Sequence, residues 1–208
     1  MVKVYQRRTG QVVEPIEYKA GLLDKLYGTA WGCFLLPILT RPSLSYLLTL
    51  KDYTGLSRKK IAAFVENYQL NLADYEDGPY SSFAAFFQRR IKPDLRLVCP
   101  DSQVLAVADA KLEVFTISQD LQLTIKGQIY SLADLLMNEE LAQLFRGGTA
   151  LVYRLGVEDL HRYLAAESGR IIQRRKIKGC LHTVRQVAQK RRLIYKENKR
   201  EYCLLDTD

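Results

Sequence analysis

The sequence has few of the residues that build metal centres and nucleophile sites. It contains two histidines and four cysteines in 208 residues, and no two cysteines form a CxxC pair. Zinc thiolates normally come in close pairs, so no metal site is expected. The scattered cysteines favour reduced thiols in a cytoplasmic protein. The sequence has no GxSxG, GxGxxG or Walker-type phosphate loop. These absences argue against an α/β-hydrolase, a dinucleotide-binding protein and a P-loop nucleotidase.

Long hydrophobic runs are scarce as well. The most apolar stretch, 29–50, is interrupted by Pro37, Arg41 and Pro42, and its longest clean piece is Thr29–Thr40. That piece has about half of the roughly 20 residues that a membrane-spanning helix needs. It suits either a helix that lies in a membrane surface or a buried core helix. The charged start of the chain, 1–21, does not read as a secretory signal.

The chain nevertheless has the composition of a folded domain, and its charge is concentrated. Apolar residues make up 48% of the sequence, with 13 tyrosines and 7 phenylalanines. The net charge is +8, but residues 170–200 alone carry +11, so the remainder carries −3. Such a patch attracts the phosphates of nucleic acid or of anionic lipids, unless it is only a solvated face. Because no helix-turn-helix or stacking platform accompanies it, nucleic acid is not the expected partner.

The first part of the chain is predicted to be helical. Ser57 is predicted to cap a helix with Ile61, Phe64, Val65 and Tyr68 on one face. A second helix is predicted to start at Ser81 or Ser82, with Phe83, Phe86, Phe87 and Ile91 on one stripe. We therefore assign 1–95 to a helical N-terminal region.

After Pro100 the hydrophobic period changes from helical to alternating. Strands are predicted around 121–125 and 149–155, with shorter ones near Ile171, Leu193 and Tyr202. One helix is predicted between Ser131 and Phe145, with Ser131 and Asp134 as its capping box. The expected fold class is α+β: a helical, membrane-facing N-terminal part, then an antiparallel β-rich core at 96–208 with one inserted helix.

Five short motifs occur in order along this framework. They are FFQRRIK at 86–92, IKGQIYSL at 125–132, FRGGT at 145–149, DLHR at 159–162 and NKRE at 198–201. They are similar to F-F-x-R-x-L-K, V-K-G-x-x-Y-S-L, F-x-x-G-T, D-Y-H-R-x-H and N-E-R of the pyruvoyl-dependent phosphatidylserine decarboxylases. Each motif is weak alone, but five in register between residues 86 and 201 are specific, and the resemblance covers nearly the whole chain. The sequence resembles that family.

The resemblance implies a reaction and a set of site residues. Members convert phosphatidylserine to phosphatidylethanolamine and carbon dioxide in phospholipid biosynthesis. Their precursor cleaves itself before the serine of a Gly-Ser-Thr motif, with help from an Asp–His pair. That serine becomes the pyruvoyl group, which acts as an electron sink. By position, the resemblance implies catalytic roles for Asp109 and His161 and substrate-binding roles for Lys126, Tyr130 and His182.

The sequence also departs from the family pattern. Asp109 lies in AVADA at 106–110, where the family has S-P-x-D-G. Leu164 stands at the position of the activating histidine, and Arg185 replaces the asparagine of Y-x-V-N-P. No Gly-Ser-Thr motif occurs in the 208 residues, and the β-rich core is expected to be incomplete at its C-terminus.

These departures lead to the functional expectation. The isolated chain is expected to be an inactive, decarboxylase-like pseudoenzyme, because no pyruvoyl group can form from it alone. The alternatives are a working decarboxylase and a non-enzymatic module that binds anionic phospholipid. The expected location is peripheral, on the cytoplasmic side of a membrane, with the phospholipid surface as partner. A separate C-terminal chain that carries the pyruvoyl group and a homodimer are the other partner expectations.

Overall fold

The computed structural model describes residues 3–7, 9–13, 21–76, 78–95, 104–125, 128–184 and 186–207. The α-helices in this part of the chain are α1 Gly21–Gly28, α2 Ala30–Leu39, α3 Pro42–Thr49, α4 Lys60–Asn67, α5 Phe83–Phe87, α6 Leu132–Leu136, α7 Glu139–Gln143, α8 Gln186–Gln189 and α9 Ile194–Glu197. The strands are β1 Val4–Gln6, β2 Gln11–Val13, β3 Lys111–Thr116, β4 Gln122–Ile125, β5 Gln128–Ser131, β6 Thr149–Arg154, β7 Arg170–Ile177 and β8 Arg200–Asp206. The predicted α+β class is confirmed.

Helices dominate the described residues before position 96, after a short β1–β2 hairpin. The Thr29 hydroxyl accepts a hydrogen bond from the Gly32 amide (3.0 Å) and caps α2. Helices α1 and α2 meet at 102°. No single helix among the described residues is long and apolar enough to cross a bilayer, and only the bent α1–α2 pair reaches the required length and composition together.

One of the two predicted caps in this region is wrong. Ser57 lies in the 3₁₀ turn Gly55–Lys59, where its hydroxyl donates to the carbonyls of Asp52 and Thr54 and accepts from the Phe83 amide. The side chain is thus used to dock α5 rather than to start α4. Ser82 does cap α5, since its hydroxyl accepts from the Ala85 amide (3.1 Å).

The β-rich part consists, in its described residues, of two-stranded antiparallel sheets. Strand β3 pairs with β6, β4 with β5, and β7 with β8. The predicted strands at 121–125, 149–155, 171 and 202 are confirmed. The run near Leu193 is not a strand, because Leu193 immediately precedes α9.

The inserted helix predicted from Ser131 to Phe145 is a second correction, since it is two short helices. Ser131 caps α6 as predicted, but Met137 takes a left-handed conformation (φ 48°) and ends it. Asn138 then caps α7, with its side-chain oxygen accepting from the Leu141 amide (2.9 Å). Asparagine competes for backbone donors in this way, which favours a new helix start over continuation.

Two clusters of buried side chains hold these elements together. The first packs β4 and β5 against α7 through Leu121, Leu123, Tyr130 and Ala142. The second joins the N-terminal helices to the end of the chain: Tyr27, Leu36, Ala188, Ile194. A backbone hydrogen bond from Leu181 to the Thr40 carbonyl (2.8 Å) closes the same joint.

Candidate active site

The loop that carries His161 runs beside the segment that carries Asp109. The Leu164 amide donates a hydrogen bond to the Val107 carbonyl (2.8 Å). Residue 164 therefore lies next to the 106–110 segment, where the family resemblance requires the activating base. The Leu164 side chain is 63% exposed and has no group that can accept a proton.

His161 is held by two contacts on the same loop and its neighbour α5. Its Nε2 lies 2.8 Å from the Gly156 carbonyl oxygen. Its ring packs on the Phe87 ring, with 4.6 Å between centroids. The imidazole is exposed but orientated, as a proton donor to a ligand at the surface would need to be.

Charged groups surround the base of this loop. Lys111 on β3 donates to Glu158 (2.9 Å), and the Gly156 amide donates to Asp159 (2.6 Å). Burial alone raises the pKa of Glu158, but hydrogen bonds from its own backbone N–H and from Lys111 bring that pKa below its usual value. Burial raises the pKa of Asp159, although the Gly156 amide opposes it. The pKa values of the neighbouring Glu158 and Asp159 carboxyls are therefore shifted in opposite directions by their different partners.

The predicted substrate-binding residues lie in other surroundings. Tyr130 is buried in the first cluster and contacts the Tyr195 ring edge-on at 5.3 Å. Burial raises its pKa. Tyr195 in turn lines a largely apolar cavity of about 390 Å³, together with Leu123, Val152 and Lys199. Tyr130 is therefore one ring away from this cavity. Lys126 and Arg185 lie outside the described residues.

His182 is buried at the joint between the N-terminal helices and the β-rich part. The Tyr27 hydroxyl lies 2.9 Å from its Nδ1, and Glu197 lies 3.5 Å from its Nε2. Arg192 approaches the same Glu197 carboxylate at 3.7 Å. Burial lowers the pKa of His182, so the neutral ring is favoured here. Both ring nitrogens thus face protein groups.

Sequence reasoning missed several residues of these two settings. Tyr27 and Glu197 stand in no quoted motif, and only the fold brings them to His182. Glu158 also stands in no quoted motif, and the fold brings it to Lys111. Arg89 and Arg162 do stand within the FFQRRIK and DLHR motifs. The presence of an arginine in each motif was therefore the one sequence signal for the contact between these two segments. Among the described residues no three His, Cys, Asp or Glu side chains converge as metal ligands would.

Comparison with known proteins agrees with the arrangement of motifs. The family model described as "Phosphatidylserine decarboxylase" matches residues 83–208. The "Phosphatidylserine decarboxylase proenzyme 2" of Clostridium acetobutylicum is 36% identical over 208 residues, covering 99% of this chain and 72% of that protein. The "Phosphatidylserine decarboxylase proenzyme" of Ruminiclostridium cellulolyticum is 36% identical over 216 residues, covering 100% and 71%. The protein of that name from Desulfitobacterium hafniense is 34% identical over 218 residues, covering 100% and 72%. This chain belongs to the phosphatidylserine decarboxylase family.

Proposed function

We propose that this chain is a phosphatidylserine decarboxylase-like protein that works at a phospholipid surface and is inactive, because it cannot complete the family's self-processing. The family's self-cleavage depends on a base that activates the serine. In this chain the position of that base is Leu164. The proposal depends on this internal substitution and on no feature of the chain's ends.

The single observation that carries the proposal is the hydrogen bond between Leu164 and Val107. It places residue 164 beside the Asp109 segment, as the family's Asp–His pair requires, and yet the side chain there is aliphatic. The only histidine near residue 164 in the sequence is His161, so it is the alternative candidate for the base that activates the serine. His161 does not fill this role, because the contact with Val107 is made by residue 164, three positions further on, and the His161 ring lies against Gly156 and Phe87 instead.

The pyruvoyl group is tested against the same residues. Its formation needs a proton acceptor next to Asp109, and residue 164 supplies none. The described residues therefore do not fit self-formation of this group, and no step through it is derived for this chain.

A chimeric protein tests the proposal. A segment that carries the family's Gly-Ser-Thr motif is fused after residue 208, and the fusion is made with Leu164, with L164H and with L164Q. We expect only L164H to cleave before the serine, as followed by intact mass, because histidine restores the base whereas glutamine restores only polarity. Cleavage of the Leu164 fusion at the same rate as L164H, or no cleavage of a folded L164H fusion, contradicts the proposal.

The second candidate function is non-enzymatic binding of anionic phospholipid by the N-terminal helices. On α2, Trp31, Phe34 and Ile38 fall on one face and are 80%, 72% and 50% exposed. On α3, Tyr46 and Leu47 are 65% and 62% exposed. Large apolar side chains clustered on the outside of two consecutive short helices suit a helix pair that lies in the interface of a bilayer. This supports the membrane-facing alternative over a buried core helix.

Cations accompany these apolar side chains. Lys25 and Arg41 flank α2 and are exposed. Lys190 and Arg191 follow Ala188, which packs with Tyr27 in the second cluster. Each such residue near an anionic surface adds about 1 kcal/mol of attraction. An open groove along α4 also combines the apolar side chains of Ile61 and Val65 with the charged side chains of Arg58, Lys59 and Glu66.

Trp31 is the only tryptophan in the sequence, so its fluorescence reports directly on this proposal. We expect a blue shift when vesicles containing phosphatidylserine are added, and a smaller one with neutral phosphatidylcholine vesicles. In flotation assays F34S is expected to weaken binding, whereas V104S, at an equally exposed position (75%) in the β-rich part, is not. Equal flotation of both variants, or no preference for anionic vesicles, argues against lipid binding.

We also propose a location and two protein partners. We place the protein peripherally on the cytoplasmic side of a membrane. A polypeptide that carries the Gly-Ser-Thr segment, whether joined to this chain or separate, is the proposed protein partner. A homodimer is also proposed, and light scattering of the purified protein tests it.

A further inference from the structure

We propose that Arg89 and Arg162 position the His161 ring, because each donates hydrogen bonds to backbone carbonyls in the segment that carries the other; we call this pair the arginine clasp. The inference rests on the proposed function only for the importance it gives to His161, the retained candidate proton donor. The hydrogen bonds of the clasp are observed whether or not the protein processes itself or binds lipid.

Each arginine of the clasp donates to a carbonyl in the other's segment. The Arg162 guanidinium reaches the end of α5, where Nη2 lies 2.8 Å from the Gln88 carbonyl and Nε lies 3.1 Å from the Arg89 carbonyl. In return, Arg89 Nη2 donates to the Glu158 carbonyl (3.2 Å) in the His161 loop. The two segments are therefore joined from both sides.

Arg89 is a buried residue. It is 2% exposed, and its guanidinium stacks over Tyr75 at 4.4 Å and near Phe86 at 5.2 Å. Its Nε and Nη1 meet no hydrogen-bond acceptor among the described residues. Burying a cation with two unused donors is unfavourable, so packing alone does not account for an arginine at this position. The planar guanidinium does more than pack, because it can stack on the Tyr75 and Phe86 rings and still donate to the Glu158 carbonyl in the His161 loop.

The clasp fixes the Phe87 ring contact, which is one of the two contacts that orientate His161. Phe87 is the last residue of α5 and directly precedes Gln88, whose carbonyl Arg162 holds. His161 directly precedes Arg162. Holding residue 88 against residue 162 therefore brings the rings of their neighbours together at 4.6 Å. A lysine at either position has a single ammonium on a flexible stem and cannot span the same carbonyls.

Nuclear magnetic resonance of the histidine rings tests the clasp in the full chain. The sequence holds only His161 and His182, so two sets of ring signals are expected, and H161Q and H182Q assign them. F87L serves as the reference, since it removes the aromatic ring that shifts the His161 signals. We expect R162K and R89K to move the His161 signals in the same direction as F87L, while the His182 signals stay in place. R174K, at an exposed position on β7, is the matched control and is expected to move neither.

The outcomes separate cleanly. If the His161 signals do not move in R162K, the clasp does not position the ring and the proposal is wrong. If both histidines move together, the arginines support the whole fold and the positioning role is equally overturned. Because Arg162 is exposed, R162K decides the matter even if R89K does not fold. Failure of the L164H fusion to cleave leaves this result unaffected, so the two proposals fail separately.

Discussion

The buried hydrogen bond between Tyr27 and His182 gives a sharp test of how the N-terminal helices are attached. The change is Y27F, which removes one oxygen and keeps the ring. Tyr27 is 2% exposed, and the His182 side chain is 4% exposed. Without the hydroxyl at 2.9 Å, Nδ1 of His182 is left buried and unpaired. Leaving such a group unsatisfied costs about 1–3 kcal/mol.

Urea unfolding followed by far-ultraviolet circular dichroism measures this loss. Trp31 fluorescence is a poor reporter of folding, because that side chain is 80% exposed in the folded protein. With a urea slope of about 2 kcal/mol per molar, a loss of about 2 kcal/mol lowers the midpoint by about 1 M. Y46F is the matched control, since Tyr46 is 65% exposed, and its midpoint is expected to stay unchanged. An unchanged midpoint in Y27F, or an equal drop in Y46F, would show that this hydrogen bond does not stabilise the attachment of the N-terminal helices.

Three further predictions concern stability. First, burial lowers the pKa of His182, so the unfolded chain binds its proton more readily; the free energy of unfolding should fall as the pH drops below about 6.5, and H182Q should reduce this dependence measured between pH 7.5 and 5.5. Second, I194A empties a position that is 0% exposed in the second cluster and should lower the free energy of unfolding by about 2–5 kcal/mol in urea titrations. Third, N138A removes the cap of α7 and should cost about 1 kcal/mol, whereas N138D should retain most of it.

The sequence predicted the local structure best where one signal acted alone. Thr149–Arg154 alternates cleanly and forms β6, and Ser82 caps α5 as expected. Predictions failed where a polar side chain had two uses. Ser57 had the spacing of a cap but is engaged by Phe83, 26 residues away. Asn138 reads as an ordinary helix residue, yet it starts a new helix.

The candidate site was predictable only in part, because motifs give residues and not their partners. The motif order selected His161, and it pointed to Leu164 as the missing base. The approach of residue 164 to Val107 depends on a backbone hydrogen bond between residues 57 positions apart, which no local pattern encodes. The substrate-binding role of His182 stays a prediction, and its contacts with Tyr27 and Glu197 come from the packing of distant helices.

The central claim is that this protein does not make its own pyruvoyl group. The most direct measurement treats the native gene product, purified from its source, with tritiated borohydride and locates any label by mass spectrometry. A protein-bound carbonyl is reduced and labelled by this reagent. Because Leu164 lies beside the Asp109 segment, we expect no labelled N-terminus and no mass change from cleavage. A labelled pyruvoyl N-terminus on a cleaved product would contradict it.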